Sequence, residues 1–323
     1  MEKCCLALAV GLLLVNKLDS TTTHSCAYPS RLPPTDFLKE EFFQNKLGLW
    51  IYYQEWKSTT TPKGIIILLH GYGEGLHRYN HIAKAFFDYH VFALDHQGFG
   101  RSEGDRAHVD MFEDYINDVQ MLVEDIISPK YPDLPQYVMG QSMGGLIAIH
   151  SSLRLKFQGC ILCCPAIEIP ASSALVRAVG LVIDFVFPKA PLISFPALPS
   201  TSLLAAKEHA GFDPLNYNGK IKVHQGLELL KATKFAIEKA DTFETPLFII
   251  HGKNDLHASI KGSQLFIEKA ASKDKCLLAV ETQHEPLQEI RPIRNNIISH
   301  IRDWLEIRHC NISSQVHPRG AGR

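Results

Sequence analysis

Residues 140–144 read Gly-Gln-Ser-Met-Gly. They follow an extended apolar stretch at 136–139 and open a helix-like one at 145–153. A G-x-S-x-G between a strand and a helix makes a sharp turn, which forces the serine into a strained backbone conformation. Only small residues fit on its flanks, and Gly140 and Gly144 meet that demand. Gly145 lets the helix pack close to the strand. The Ser142 hydroxyl then stands at the end of a sheet, beside the positive end of a helix dipole. Chance alone can produce five such residues, so the rest of the chain has to supply the partners.

A turn of this kind needs a chain that alternates strand and helix, and the apolar pattern supplies one. Continuous apolar runs at 64–69, 90–94, 136–139, 159–164, 246–250 and 276–280 read as strands covered on both faces, as in a parallel sheet. Residues 49–56 read as an earlier strand. Phe112, Ile116, Val119, Leu122, Val123 and Ile126 recur at helical spacing, with Asp110 and Glu113 as the expected N-terminal cap. Residues 286–308 read as a last helix. The order predicts an α/β fold, a mostly parallel central sheet with helices on both faces, spanning 36–309 and leaving 310–323 as a tail. The stretch between Pro165 and Pro246 is too long for a structureless loop. Residues 170–244 are therefore expected to form an inserted helical cap. Its first part, 175–187, is apolar nearly all round, broken by Arg177 and Asp184. Such a helix either packs over the site or meets lipid, and both readings stand.

Bulk composition excludes more than it assigns. The 323 residues are 46% hydrophobic and 21% charged, an ordinary globular balance. A net charge of -1 with no basic run argues against a nucleic-acid partner. Residues 4–15 form an unbroken apolar run, too short to span a bilayer but of the length of a signal-peptide core. Residues 1–20 are read as a hydrophobic targeting segment, cleaved near Ser20 or anchored by palmitate on Cys4 and Cys5. The alternative is a segment that packs on the domain. The expected location is the secretory route, the exterior or a membrane surface, with the cytoplasm as the alternative. Eight cysteines do not settle the compartment. Cys160, Cys163 and Cys164 lie in or beside an apolar strand and read as buried thiols. Cys26, Cys276 and Cys310 are available for pairing, but no spacing demands it. No cysteine or histidine spacing fits zinc, so no metal site is expected. Asn311-Ile-Ser313 is a glycosylation sequon, meaningful on the secretory route.

A serine hydroxyl needs a base to take its proton, and the base needs a carboxylate to fix its tautomer. When the nucleophile lies on a strand-to-helix turn, acid and base follow it in chain order. Asp255 ends the segment His251-Gly-Lys-Asn-Asp, just after the next-to-last strand, and His284 follows the last strand. Of the sixteen histidines, His284 alone lies beyond the final strand and before the last helix, downstream of the acid. His257 is too near Asp255 to face it across a loop. His300 and His309 fall on the last helix, and His70 is expected to order the loop after its own strand. Glu168 rivals Asp255, because it follows the preceding strand. Asp95 reads as a structural hydrogen-bonding residue. Two backbone donors are expected to face the oxyanion of a tetrahedral intermediate, the N–H groups of Met143 and of Tyr72 in the loop His70-Gly-Tyr-Gly73. A dinucleotide reading of that loop fails, because Leu76 stands where a third glycine is required.

Together these residues resemble the monoacylglycerol lipase and lysophospholipase-like branch of the α/β hydrolases, which includes plant esterases. The matching segments are 70–74 with Arg78-Tyr79, 95–104, 140–145, Asp213-Pro-Leu215, 251–255 and His284. The resemblance runs from about Phe37 to Ile307. It implies Ser142 as nucleophile, Asp255 as acid, His284 as base, Tyr72 and Met143 at the oxyanion positions, and no cofactor. It also implies an acyl-ester substrate, often a monoacylglycerol, and a hydrophobic cap that shapes an acyl tunnel and helps the enzyme reach lipid. Three positions depart from the pattern: Tyr72 replaces a small residue, Ala210 a tyrosine three before Asp-Pro-Leu, and Gly75 a common histidine. They bear on alcohol specificity rather than on the chemistry. The expected function is a serine ester hydrolase acting on monoacylglycerols or related lipid esters. The alternatives are a lysophospholipase or general carboxylesterase and, from another class, a ligand-binding protein on the same fold.

Overall fold

The computed structural model describes residues 41–168, 180–181, 183–193, 201 and 211–316. The segment 1–20, Cys26, most of the first cap stretch, Ala210 and the end of the tail lie outside the described residues.

The strands are β1 (Phe42–Gln44), β2 (Trp50–Trp56), β3 (Ile65–Leu69), β4 (His90–Leu94), β5 (Gln136–Gln141), β6 (Gly159–Cys163), β7 (Pro191–Ile193), β8 (Ile221–Lys222), β9 (Leu247–Gly252) and β10 (Lys275–Val280). Eight of them form one sheet in the order β1-β2-β4-β3-β5-β6-β9-β10. The β1–β2 and β2–β4 pairs are antiparallel and every later pair is parallel. β7 and β8, which lie between β6 and β9 in the chain, pair separately.

The unbroken apolar runs have the expected cause. Ile65, Ile67 and Leu69 of β3 point into one core with Phe92, Leu94 and Val138, while Ile66 and Leu68 join Val91, Ala93 and Met139 in the other. Successive side chains alternate faces, so a strand buried on both sides must be apolar at every position. Each such side chain contributes about 1.5–3 kcal/mol by leaving water. Helices α2 (Phe112–Met121), α3 (Met143–Ser152), α4 (Val223–Glu238) and α5 (Ile260–Lys269) cover the first core. Helices α1 (Asn80–Ala85) and α6 (Arg291–Val316) cover the second, α6 through Ile297, Ile301, Trp304 and Leu305.

Several local features differ from the sequence reading. β1 is an added strand, only three residues long, with half-buried aromatics. The last helix runs on to Val316 rather than ending near 308. The first turn of α2 is held by Asp114, which accepts the Met111 N–H at 3.2 Å. The helix begins at Phe112, so 114 is its third position, from which a carboxylate reaches back to the cap. Glu113 instead pairs with Arg154, and Asp110 offers its carbonyl to His224. Within the span 170–244, α4 buries Leu229, Ala232 and Ala236 in the first core, as the crossover helix between two parallel strands.

Candidate active site

β5 and α3 meet at Ser142, whose backbone lies at φ 53°, ψ -114°. That strained conformation is held by its own backbone bonds. Ser142 N donates to Cys163 O at 3.0 Å, and Ser142 O accepts from Leu146 N at 3.1 Å and Ala166 N at 3.0 Å. A Cβ on Gly140 would stand 2.2 Å from Gly144 O, and one on Gly144 would stand 2.1 Å from Leu69 O. Both glycines are therefore required by close approach of backbone.

Asp255 and His284 are brought to the serine by the carboxyl ends of β9 and β10. His284 Nδ1–H donates to Asp255 Oδ2 at 2.7 Å, and His284 Nε2 lies 2.9 Å from Ser142 Oγ. With Nδ1 protonated, Nε2 has a lone pair for the serine hydroxyl. Glu168, the rival acid, is exposed, and its carbonyl accepts from Ser259 N at 2.9 Å. His300 and His309 lie on α6, as the sequence reading placed them. His257 gives Asp255 its backbone N–H at 2.8 Å and sets its ring 4.9 Å from that of His284.

The Asp255 side chain is fully buried, which would raise its pKa. Hydrogen bonds from His251, His284 and the backbone outweigh burial and hold the carboxyl well below the usual carboxylate range. His251 is the partner that sequence reasoning missed. Its Nε2 lies 3.3 Å from Asp255 Oδ2 and 3.0 Å from Ala258 O, and its Nδ1 lies 2.8 Å from Ser263 Oγ. Cys164 completes this surround at a positive φ of 42°, its sulfur accepting the Gly252 N–H at 3.3 Å. Burial pushes its thiol pKa up. Cys164, His251 and Asp255 bring ligand-type atoms within 4.8 Å of one another, but each of the three is already hydrogen-bonded. Gln141 was missed as well. Its Nε2 donates to His284 O at 2.7 Å, tying the base to the strand that carries the serine.

The loop after β3 lies against Ser142. His70 is buried and neutral, since desolvation lowers its pKa. Its Nδ1–H donates to Gly71 O at 2.8 Å and its Nε2 accepts the His96 N–H at 2.9 Å, so it orders this loop as expected. Tyr72 packs its ring on Phe99 and Tyr217, with centroids 5.2 and 6.1 Å away. Met143 is the first residue of α3, so its N–H is one that the helix leaves without an intrahelical acceptor. Asp95 accepts from Leu76 N at 2.6 Å and Arg101 N at 2.7 Å, the structural role read for it. Cys160, Cys163 and Cys164 are buried thiols, and Cys276 and Cys310 are free and exposed.

Residues 60–291 match the family described as "Serine aminopeptidase, S33". The chain is 32% identical to monoglyceride lipase of Homo sapiens over 85% of this chain and 92% of that protein. It is 30% identical to monoacylglycerol lipase of Mycolicibacterium smegmatis, over 82% of this chain and 96% of that one. Its fold superposes on a soluble variant of monoglyceride lipase from Saccharomyces cerevisiae, solved with a substrate analogue, with a TM-score of 0.74 at 20% identity, covering 89% and 99% of the two chains. A strained serine on a strand-to-helix turn, an aspartate and a histidine hydrogen-bonded to it in series from the ends of β9 and β10, and a family match across all three place the chain in the serine aminopeptidase S33 family, among its monoglyceride-lipase-like α/β hydrolases.

Proposed function

We propose that this chain hydrolyses monoacylglycerols to fatty acid and glycerol through an acyl-enzyme on Ser142. The observation that carries the reading is the hydrogen-bonded run Ser142–His284–Asp255, at 2.9 and 2.7 Å. His284 takes the serine proton as Oγ attacks the ester carbonyl, and Asp255 stabilises the imidazolium that forms. The N–H groups of Tyr72 and Met143 receive the oxyanion, each lowering the barrier by roughly 3 kcal/mol. Collapse expels the glycerol, to which His284 gives its proton. Water then repeats the sequence on the acyl-enzyme, with His284 again as base. No step requires a cofactor.

The substrate class is supported by the human and mycobacterial relatives, whose names specify monoglycerides and monoacylglycerols. A lipid substrate also needs access from a lipid surface. Phe185 and Phe212, in the insertion between β6 and β9, are 92% and 88% exposed, and they supply an apolar docking surface.

The test is hydrolysis of matched monoacylglycerols, lysophosphatidylcholines and short soluble esters by the wild type and by Ser142→Ala. Ser142→Ala is expected to abolish turnover with little change in thermal stability. Retained turnover would overturn the assignment. A preference for lysophosphatidylcholine, or for short esters alone, would keep the chemistry and replace the substrate.

A further inference from the structure

The loop expected to bind the oxyanion and the loop that carries the base are far apart in sequence, and one side chain spans them. Arg78 lies in a short turn, Leu76–Tyr79, after β3. Its Nη1 donates to Glu74 Oε1 at 2.6 Å and its Nη2 to Glu285 Oε2 at 2.8 Å. Glu74 Oε2 accepts the Gly71 N–H at 2.9 Å and the Tyr79 hydroxyl at 2.7 Å. Gly71 immediately precedes Tyr72, and a Cβ on it would stand 3.4 Å from Ser142 Cβ. Glu285 immediately follows His284.

We infer that Arg78 is a positioning residue for ester hydrolysis: its guanidinium fork holds the oxyanion loop and the base in register about Ser142. The side chains of Glu74, Arg78 and Glu285 are only 8%, 13% and 11% exposed, so this is not a solvated surface pair of small worth. Two buried carboxylates converge on one cation, and a planar fork is the group that satisfies both at once. The far side of the base is held independently, through Gln141 on the His284 carbonyl. The histidine loop is thus pinned once from the nucleophile strand and once from the oxyanion loop. Catalytic groups must sit within about 0.5 Å of productive geometry, and a displacement of about 1 Å costs on the order of 10²-fold. Arg78 touches no reacting atom, so its effect falls on turnover rather than on ground-state binding.

The inference rests on the roles proposed above for Ser142, His284 and loop 70–73. Its test is steady-state kinetics on a soluble short-chain monoacylglycerol, with melting temperatures recorded alongside. Arg78→Gln is expected to lower kcat about 10²-fold with KM nearly unchanged. Arg78→Lys, which keeps the charge but not the fork, should fall between it and the wild type. Guanidinium ion added to Arg78→Ala should restore part of kcat. Glu285→Gln should lower kcat in the same sense, and its effect should not add to that of Arg78→Gln. Where Arg78→Gln fails to fold, Arg78→Lys and Glu285→Gln carry the test. Their affinity for a trifluoromethyl ketone, which mimics the tetrahedral state, should fall in step with kcat/KM, while their affinity for the product fatty acid stays constant. Wild-type kcat in Arg78→Gln overturns the inference. So does a loss that follows melting temperature alone, with no rescue by guanidinium and no selective loss of ketone affinity. An inactive Ser142→Ala beside a fully active Arg78→Gln removes only this inference, whereas an active Ser142→Ala removes the reading beneath it.

Discussion

Asp255 keeps its charge at full side-chain burial because its acceptor positions are occupied by donors. Oδ1 takes the N–H groups of His257 and Ala258, at 2.8 and 3.0 Å, and Oδ2 takes His284 Nδ1–H at 2.7 Å. An asparagine there turns the amide or the tautomer the wrong way, because a neutral side chain cannot require Nδ1–H and stabilise an imidazolium. Asp255→Asn should lower kcat by about 10⁴-fold with KM little changed. The same carboxylate links the fold to pH. Its folded pKa lies below the usual range, so its contribution is present above the unfolded value of about 3.9 and is lost as pH falls through the folded one. Melting temperature should therefore decline less steeply below about pH 4 in Asp255→Asn than in the wild type; equal acid profiles would contradict the direction of the shift. The hydrogen-bonded run Ser142–His284–Asp255 was legible because each residue is announced by a strand end and by its order in the chain. His251, Cys164 and Gln141 were not. Their contacts depend on which strands are neighbours: Cys163 pairs with Ile250 across β6 and β9, and that register sets Cys164 beside Gly252. No local pattern in the sequence encodes it.

Helix α2 shows how an element can be found by its pattern and still conceal its chemistry. Phe112, Ile116 and Val119 fixed the buried face, but Asp118 is buried there too, at 2% exposure. Its Oδ1 accepts from Asn45 Nδ2 at 2.8 Å, and Asn45 Oδ1 in turn receives the N–H groups of Leu47 and Leu49 in the β1–β2 turn. One carboxyl thus ties α2 to a hairpin that periodicity had not resolved. Burial pushes the Asp118 pKa up to about 7, with Asp114 adding to the rise and Asn45 opposing it. A raised carboxyl pKa means that the folded state binds the proton more tightly than the unfolded one. Stability is then highest at low pH by this group's account, falls between about pH 4 and 7, and levels off above. Asp118→Asn keeps an acceptor for Asn45 and removes the charge. It should match the wild type near pH 4 and exceed it at pH 8, by on the order of 4 kcal/mol at most. Urea titrations of the two proteins at pH 5 and pH 8 check this. A variant equally unstable at both would mean that Asp118 sits in the fold as a carboxylate with no burial cost.

At the scale of the whole molecule, the doubly covered sheet was legible from runs such as 65–69, whereas the strand order was not, since pairing is a long-range choice among similar apolar strands. That order puts the ends of β3, β5, β9 and β10 at one edge, where ligands bind in open α/β sheets. The insertion leaves β6 at the same carboxyl edge, and its described part is sewn to the body. Tyr217 N donates to Gly73 O at 2.7 Å and His77 Nε2 lies 2.6 Å from Asp213 Oδ2. The sequence left the segment 175–187 open between packing on the site and meeting lipid. Residues 175–179 and 182 lie outside the described residues, while Phe185 and Phe187 in that segment, and Phe212 further on, are 92%, 59% and 88% exposed. Fully burying one phenylalanine yields about 1.5–3 kcal/mol, so two that enter a bilayer interface together change partitioning by at least tenfold. Among the described residues no helix is long and apolar enough to cross a membrane. The double variant Phe185→Glu with Phe212→Glu should bind phosphatidylcholine vesicles at least tenfold more weakly in co-sedimentation. It should lose a like factor of activity on vesicle-borne monoacylglycerol while hydrolysing a soluble short-chain ester at the wild-type rate. If vesicle binding is unchanged, the lipid-docking role falls and these aromatics need another partner. If both activities drop together, the substitutions have disturbed the site itself, and surface delivery is not what the insertion adds.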